Sequence, residues 1–139
     1  MSFLLDTNAL SEVSRKSPDP GFMDWYDATD DGLLFASAVT FGEMRRGAAL
    51  LPTGAKRTHV ESHHRVAVTA YARRVISADL PVMVRWGELS ADNRRNGRAP
   101  GMADEIIAAT ALVHDLTVVT RNIADFQHAG CRVLSPWTA

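Results

Sequence analysis

Apolar positions in this chain fall into short, β-branched or leucine-rich runs separated by segments with helical spacing. Phe3–Leu5 is a run of the first kind, and it ends in Asp6-Thr7-Asn8, three good helix-capping residue types. A strand followed by a helix through about Arg15 is predicted there, and Ser17-Pro18-Asp19-Pro20 stops the helix. Phe22, Trp25 and Tyr26 mark a second short helix over Gly21–Thr29, after which Asp30-Asp31-Gly32 turns the chain into a buried strand, Leu33–Ser37. Phe41, Met44, Ala48 and Leu51 then recur at helical spacing over Thr40–Leu51. Residues 55–74 are polar and rich in Arg and His, with Val60, Val66, Val68 and Tyr71 as weak anchors, which predicts a long exposed helix. Val75–Ser77 reads as a third strand and Pro81–Asn96, bearing Val82, Val84, Trp86 and Leu89, as another helix.

The stretch from Met102 to Phe126 organises the rest. From Ile106 to Leu112 the only polar side chain is Thr110, so this helix is apolar nearly all round and is expected in the core. Asp104 and Glu105 sit in its first turn. After a turn at His114-Asp115, Leu116–Thr120 is a run of the kind found in a parallel strand covered on both faces. Arg121-Asn122 breaks the run and Asp125 comes soon after. Gly130–Leu134 supplies a last strand, and the tail Ser135-Pro136-Trp137 is expected to pack its indole on the body. Strands alternating with helices argue for an open, mostly parallel α/β sheet.

Composition narrows the class without changing that picture. With 139 residues, 46% hydrophobic and 22% charged, the chain suits one soluble domain. No apolar run approaches the roughly 18 residues needed to cross a bilayer, and MSFLLDTN is too short and too acidic for a signal peptide. The single cysteine, Cys131, excludes an internal disulfide and fits a reducing cytoplasm. A net charge of −1 excludes a bulk nucleic-acid coat, so nucleic acid would have to be bound locally.

The chemistry lies in four acids. Singly, each has a structural explanation: Asp6 caps a helix, Thr40-Phe41-Gly42-Glu43 is a capping box, Asn122-Ile123-Ala124-Asp125 resembles one, and Asp104 is favoured by a helix dipole. Their joint placement changes the picture. In a parallel α/β sheet the helices start at the strands' C-terminal edge, where such sheets bind ligands. Asp6, Glu43, Asp104 and Asp125 all fall there, and like charges converging on one edge call for a cation. Oxygen ligands of this kind suit Mg²⁺ or Mn²⁺. Such an ion would orient a water, lower its pKa and stabilise developing negative charge. Asp6 and Asp104 are the expected direct ligands; Glu43 and Asp125 would add a further ligand or position the water. Thr7, Asn8, Thr120 and Asn122 are placed to hydrogen-bond the carboxylates or a phosphate, and Arg45 and Arg46 to face a substrate groove.

Three segments carry a resemblance to a known family: LLDTNALSE at 4–12, SAVTFGEMRRGAALLP at 37–52 and ADEIIAATALVHDLTVVTRNIADF at 103–126. They resemble the PIN domain, and within it the VapC and FitB toxins of bacterial toxin–antitoxin pairs; the terminal SPW is similar to the family's closing motif. The resemblance implies one domain over residues 1–139 with a five-stranded parallel sheet. It implies a metal-dependent ribonuclease whose acidic quartet is Asp6, Glu43, Asp104 and Asp125, with Asn122 close enough to Asp125 that either fits the fourth place. It further implies a homodimer and a VapB-like antitoxin, together forming a toxin–antitoxin hetero-oligomer. Residues 53–100 match the family only loosely.

Other readings use the same residues differently. His59 and His63 have the i,i+4 spacing of a zinc pair, with His64 adjoining, but lack further ligands. Arg94, Arg95 and Arg98 suit RNA phosphate or a solvated helix end. No G-x-G-x-x-G or G-K-[ST] is present. A receiver-like signalling domain would want a lysine near its late strand, and neither Lys16 nor Lys56 is there. A catalytically silent PIN-like binding module is the remaining alternative.

Overall fold

The structure is a computed structural model, which describes residues 1–138. Five short strands, β1 Phe3–Leu5, β2 Leu34–Ser37, β3 Val75–Ile76, β4 Thr117–Val119 and β5 Val133–Leu134, form one sheet in the order β3-β2-β1-β4-β5. Every pairing is parallel. β1 is central: Leu4 lies opposite Phe35 and Val118, and Leu5 opposite Ala36 and Val119. Because successive side chains leave a strand on opposite faces, Leu4 and Val118 enter one core with Val82, Leu89, Ile107 and Phe126. Leu5 and Val119 enter the other, with Ala9, Phe22, Leu34 and Trp137. Both faces are thus covered, as the apolar runs predict.

Among the described residues seven α-helices flank the sheet: α1 Thr7–Glu12, α2 Pro20–Ala28, α3 Ala38–Leu50, α4 Ala55–Tyr71, α5 Leu80–Arg95, α6 Met102–His114 and α7 Ile123–His128. None among the described residues is long and apolar enough to cross a membrane. α6 is buried from Ile106 to Ala111, and its lone polar core residue, Thr110, donates its hydroxyl back to the Ile106 carbonyl at 2.7 Å.

Most element boundaries differ from the sequence reading by one to three residues, the last strand being only Val133–Leu134; four differences have a clear local reason. α1 ends at Glu12 because the amides of Ser14 and Arg15 turn to carbonyls three residues back, which tightens the chain out of the helix. β2 begins at Leu34, since Asp30 accepts from the Gly32 amide and sets a 3-10 turn over Asp31–Leu33. α3 starts at Ala38, with the Ser37 hydroxyl accepting from the Val39 amide at 3.1 Å. Thr40 is therefore inside the helix and fully buried, and the expected Thr40–Glu43 capping box does not form. The segment after β4, read as a capping turn, is the short helix α7.

The tail packs as expected, and its anchor is an acid the sequence reading did not single out. The Trp137 indole donates to Glu12 Oε1 at 2.9 Å, and the Asp19 amide to Glu12 Oε2 at 3.0 Å. Burial alone would raise Glu12; these two donors and Arg15 outweigh it and hold the carboxyl below its ordinary value of 4.5. Thr138 closes the lock by donating its amide to Asp19 at 2.9 Å. Gly21 is required beneath, for a Cβ there would lie 2.9 Å from the Pro136 carbonyl oxygen. Trp137→Phe keeps the ring but leaves the 3% exposed Glu12 carboxylate without its buried donor, a loss of about 1–3 kcal/mol. A depressed carboxyl contributes stability above its unfolded pKa and loses it as pH falls through the folded one. Urea unfolding should therefore show the full deficit of the variant near neutral pH and a shrinking one below 4.5.

Candidate functional site

The acid edge is assembled by three connections leaving the sheet and one helix returning to it. Asp6 continues the β1 ladder, its amide donating to the Val119 carbonyl at 3.1 Å, and then caps α1 by accepting from the Ala9 amide at 2.8 Å. It is 3% exposed. Burial raises its pKa, the nearby Glu43 adds to the rise, and the Thr120 hydroxyl with the Ala9 and Asn8 amides oppose it. Asp104 occupies the first turn of α6, whose entry is shaped by Gly101 at φ +99°, a left-handed conformation that suits glycine.

Asp104 also reports most directly on its neighbours. Its carboxyl is pushed up to about 6, by burial first and then by the negative charges of Asp6, Glu43 and Asp125. The other three predicted acids therefore all lie within the field of Asp104. Glu43, exposed on α3, accepts a hydrogen bond from the Thr7 hydroxyl, which also reaches Thr40 at 3.4 Å. Asp125 accepts from the Asn122 side-chain amide at 2.8 Å, and the Asn122 backbone amide donates to the Thr120 hydroxyl at 2.8 Å. Asn122 and Asp125 are thus hydrogen-bonded neighbours. The Asn122 side chain makes no cap bond to α7.

No basic group neutralises this edge: among the described residues none of the four carboxylates is in a salt bridge. A cation would supply the missing charge, and the donors are all hard oxygens, so the set fits Mg²⁺ or Mn²⁺ in chemistry. As the side chains stand, no three acids or histidines among the described residues close on one point. Glu43 and Asp125 are held by the neutral donors Thr7 and Asn122, so drawing the set together requires those carboxylates to rotate.

The remaining expected residues divide. Thr7, Thr120 and Asn122 are part of the hydrogen-bonded edge. Asn8 is exposed on α1. Arg45 pairs with Glu61 of α4 at 2.7 Å and so spans α3 and α4, whereas its neighbour Arg46 is exposed. The sequence reading missed Asn93, which is buried on α5 and donates to Glu105 Oε2 at 3.0 Å, tying the start of α6 beside Asp104 to α5. No local pattern marks it, because the bond joins two helices.

Residues 3–130 match the PIN domain family. The chain belongs to that family. This membership fits the all-parallel sheet and sets aside the receiver-like reading. The chain is 37% identical over 135 residues to a VapC ribonuclease, Y4jK, of Sinorhizobium fredii, covering 96% of each chain. It is 35% identical over 135 residues to the toxin FitB of Neisseria gonorrhoeae, covering 96% of this chain and 97% of that one. The crystal structure of FitAcB from Neisseria gonorrhoeae superposes with a TM-score of 0.87 at 33% identity, covering 99% of both chains.

The raised Asp104 gives a pH prediction for this PIN domain without metal. Its folded pKa of about 6 exceeds the ordinary 3.8, so the ionised carboxylate costs stability at high pH. That cost is relieved as pH falls from about 6 toward 3.8. Asp104→Asn removes the charge at nearly constant shape. The variant should melt above its parent at neutral pH in EDTA, and the difference should vanish on acidification. A lower melting temperature at neutral pH would show that Asp104 serves only the helix dipole.

Proposed function

We propose that the chain is a Mg²⁺- or Mn²⁺-dependent endoribonuclease and the toxin of a toxin–antitoxin pair. The observation that carries this reading is the acid edge itself, where burial and three neighbouring carboxylates raise Asp104 and, among the described residues, none of the four acids is in a salt bridge. Relatives named as a VapC ribonuclease and a toxin, matched over nearly the whole chain, support it.

In this reading Asp6, already fixed by the Ala9 amide, and Asp104 are the direct ligands. A bound divalent ion would supply positive charge and Lewis acidity for phosphodiester hydrolysis. Glu43 would orient a water from α3, with Thr7 orienting Glu43. Asp125 completes the acid set, with Asn122 steering its carboxylate and Thr120 steering Asp6. Asn8 and Arg46 lie beside this edge and contact RNA phosphate; Arg45, committed to Glu61, contributes by fixing α3 against α4. The protein acts in the cytoplasm as a homodimer, in a hetero-oligomer with a VapB-like antitoxin that places a basic side chain against the acids.

Purified protein should cleave single-stranded or loop RNA with Mg²⁺ or Mn²⁺, stop on addition of EDTA, and lose activity in Asp6→Asn. Mg²⁺ should also stabilise the parent by about 2.7 kcal/mol at a hundredfold excess over its Kd, and Asp104→Asn far less. One observation favours a second reading, a silent PIN-like binding module: no three acids are preassembled among the described residues. RNA binding without cleavage, and no thermal shift with Mg²⁺, would establish that alternative.

A further inference from the structure

Beside the acid edge lies a groove of about 360 Å³ between α1, α3 and α4 that the carboxylate chemistry does not use. Thr7 and Glu43 form one end of it, so the groove opens directly onto the candidate site. Its volume falls at the lower end of the range for small-ligand sites. Met44 and Gly47 of α3 line one wall, and His59 and His63 of α4 another. The two imidazoles meet edge to face with centroids 4.2 Å apart. Of the three histidines here only His64 is held, through Nε2 and the Phe41 carbonyl at 3.1 Å. His59 and His63 make no hydrogen bond among the described residues, and no third ligand joins them into a metal site.

We propose that this groove receives one nucleobase of single-stranded RNA, that of a nucleotide flanking the scissile phosphodiester, with the His59 and His63 rings as its stacking faces. This rests on the ribonuclease reading above and adds to it a source of base selectivity. Sequence-specific RNA recognition works on splayed bases stacked against aromatic side chains, histidine among them. A phosphate held at the acid edge puts the adjoining base at the end of the groove marked by Thr7 and Glu43. Ser11, on the α1 lip, presents a hydroxyl that reads the base edge.

Gly47 provides the test. A Cβ at this position meets nothing within 4 Å, so Gly47→Leu has room for its Cβ, favours the helix, fills the groove and replaces none of the four acids. A short RNA with one cleaved bond is compared with copies carrying a single abasic residue at each flanking position. One abasic position should slow the parent about tenfold or more, the size of a lost stacking contact. Gly47→Leu and His63→Ala should cleave the intact RNA at that slower rate and be insensitive to the abasic change, while their thermal shift with Mg²⁺ stays that of the parent. Cleavage equally tolerant of every abasic position overturns the base pocket and leaves the nuclease reading standing. The hollow continues past Met44 and His63 toward Tyr26 and Tyr71, so an extended peptide also has room. If Gly47→Leu leaves the RNA series unchanged but abolishes inhibition by the co-expressed antitoxin, the groove docks protein and the proposal fails. If no RNA is cleaved at all, the nuclease reading fails. Fluorescence of 2-aminopurine placed at the flanking positions then decides the pocket alone: a change on binding that Gly47→Leu removes supports it, and no such change overturns it.

Discussion

Parallel pairing of β1 with both β2 and β4 forces the chain to leave all three strands at the same edge. The helix after each strand is then fixed in space before any side chain is chosen: α1 after β1, α3 after β2, α7 after β4. α6 runs antiparallel to the strand it feeds and so begins at that edge too. Four helix starts there give a concentration of unpaired backbone amides and positive dipole ends. Helix starts of this kind favour acids. Local capping and a collective site are therefore two uses of one geometry: Asp6 accepts the Ala9 amide and still lies in the field of Glu43.

The balance at the edge is visible in how unequally the acids are treated. Asp6 and Asp104 are withdrawn from water and raised. Glu43 and Asp125 are partnered by neutral donors, Thr7 and Asn122. A neutral donor tethers a carboxylate without cancelling its charge, so the edge keeps its field while two of its members stay able to turn. Arg45, the cation nearest Glu43 in sequence, is diverted to Glu61. The fold thus holds its own bases off the acids.

How much of this was legible in the sequence depends on the range of each interaction. The β-branched run at 116–120 and the apolar helix before it declared themselves, because burial on both faces leaves no room for polar residues. The four acids were legible as a set only through strand–helix order, since each alone reads as a cap. The Thr40–Glu43 box misled because Ser37, three residues earlier, caps the same helix and moves Thr40 into the core. Glu12 and Asn93 were invisible for a different reason. Their partners, Trp137 and Glu105, lie 125 and 12 residues away, and no periodicity or spacing rule connects residues joined only by tertiary packing. The spacing of His59 and His63 is that of a metal pair, and the structure, like the sequence, supplies no third ligand among the described residues; their place in an apolar-walled groove depends on α1 and α3 and was not legible.

α1 is six residues long, about 9 Å from end to end. One of its ends is Asp6, at the acid edge, and the other is Glu12, which holds the tail. So short a helix has no independent stability to absorb a displacement. It joins two buried carboxylates of opposite disposition, one held above its ordinary pKa and one below it. The seat of the C-terminal indole and the first acid of the edge thus lie at the two ends of a single short helix.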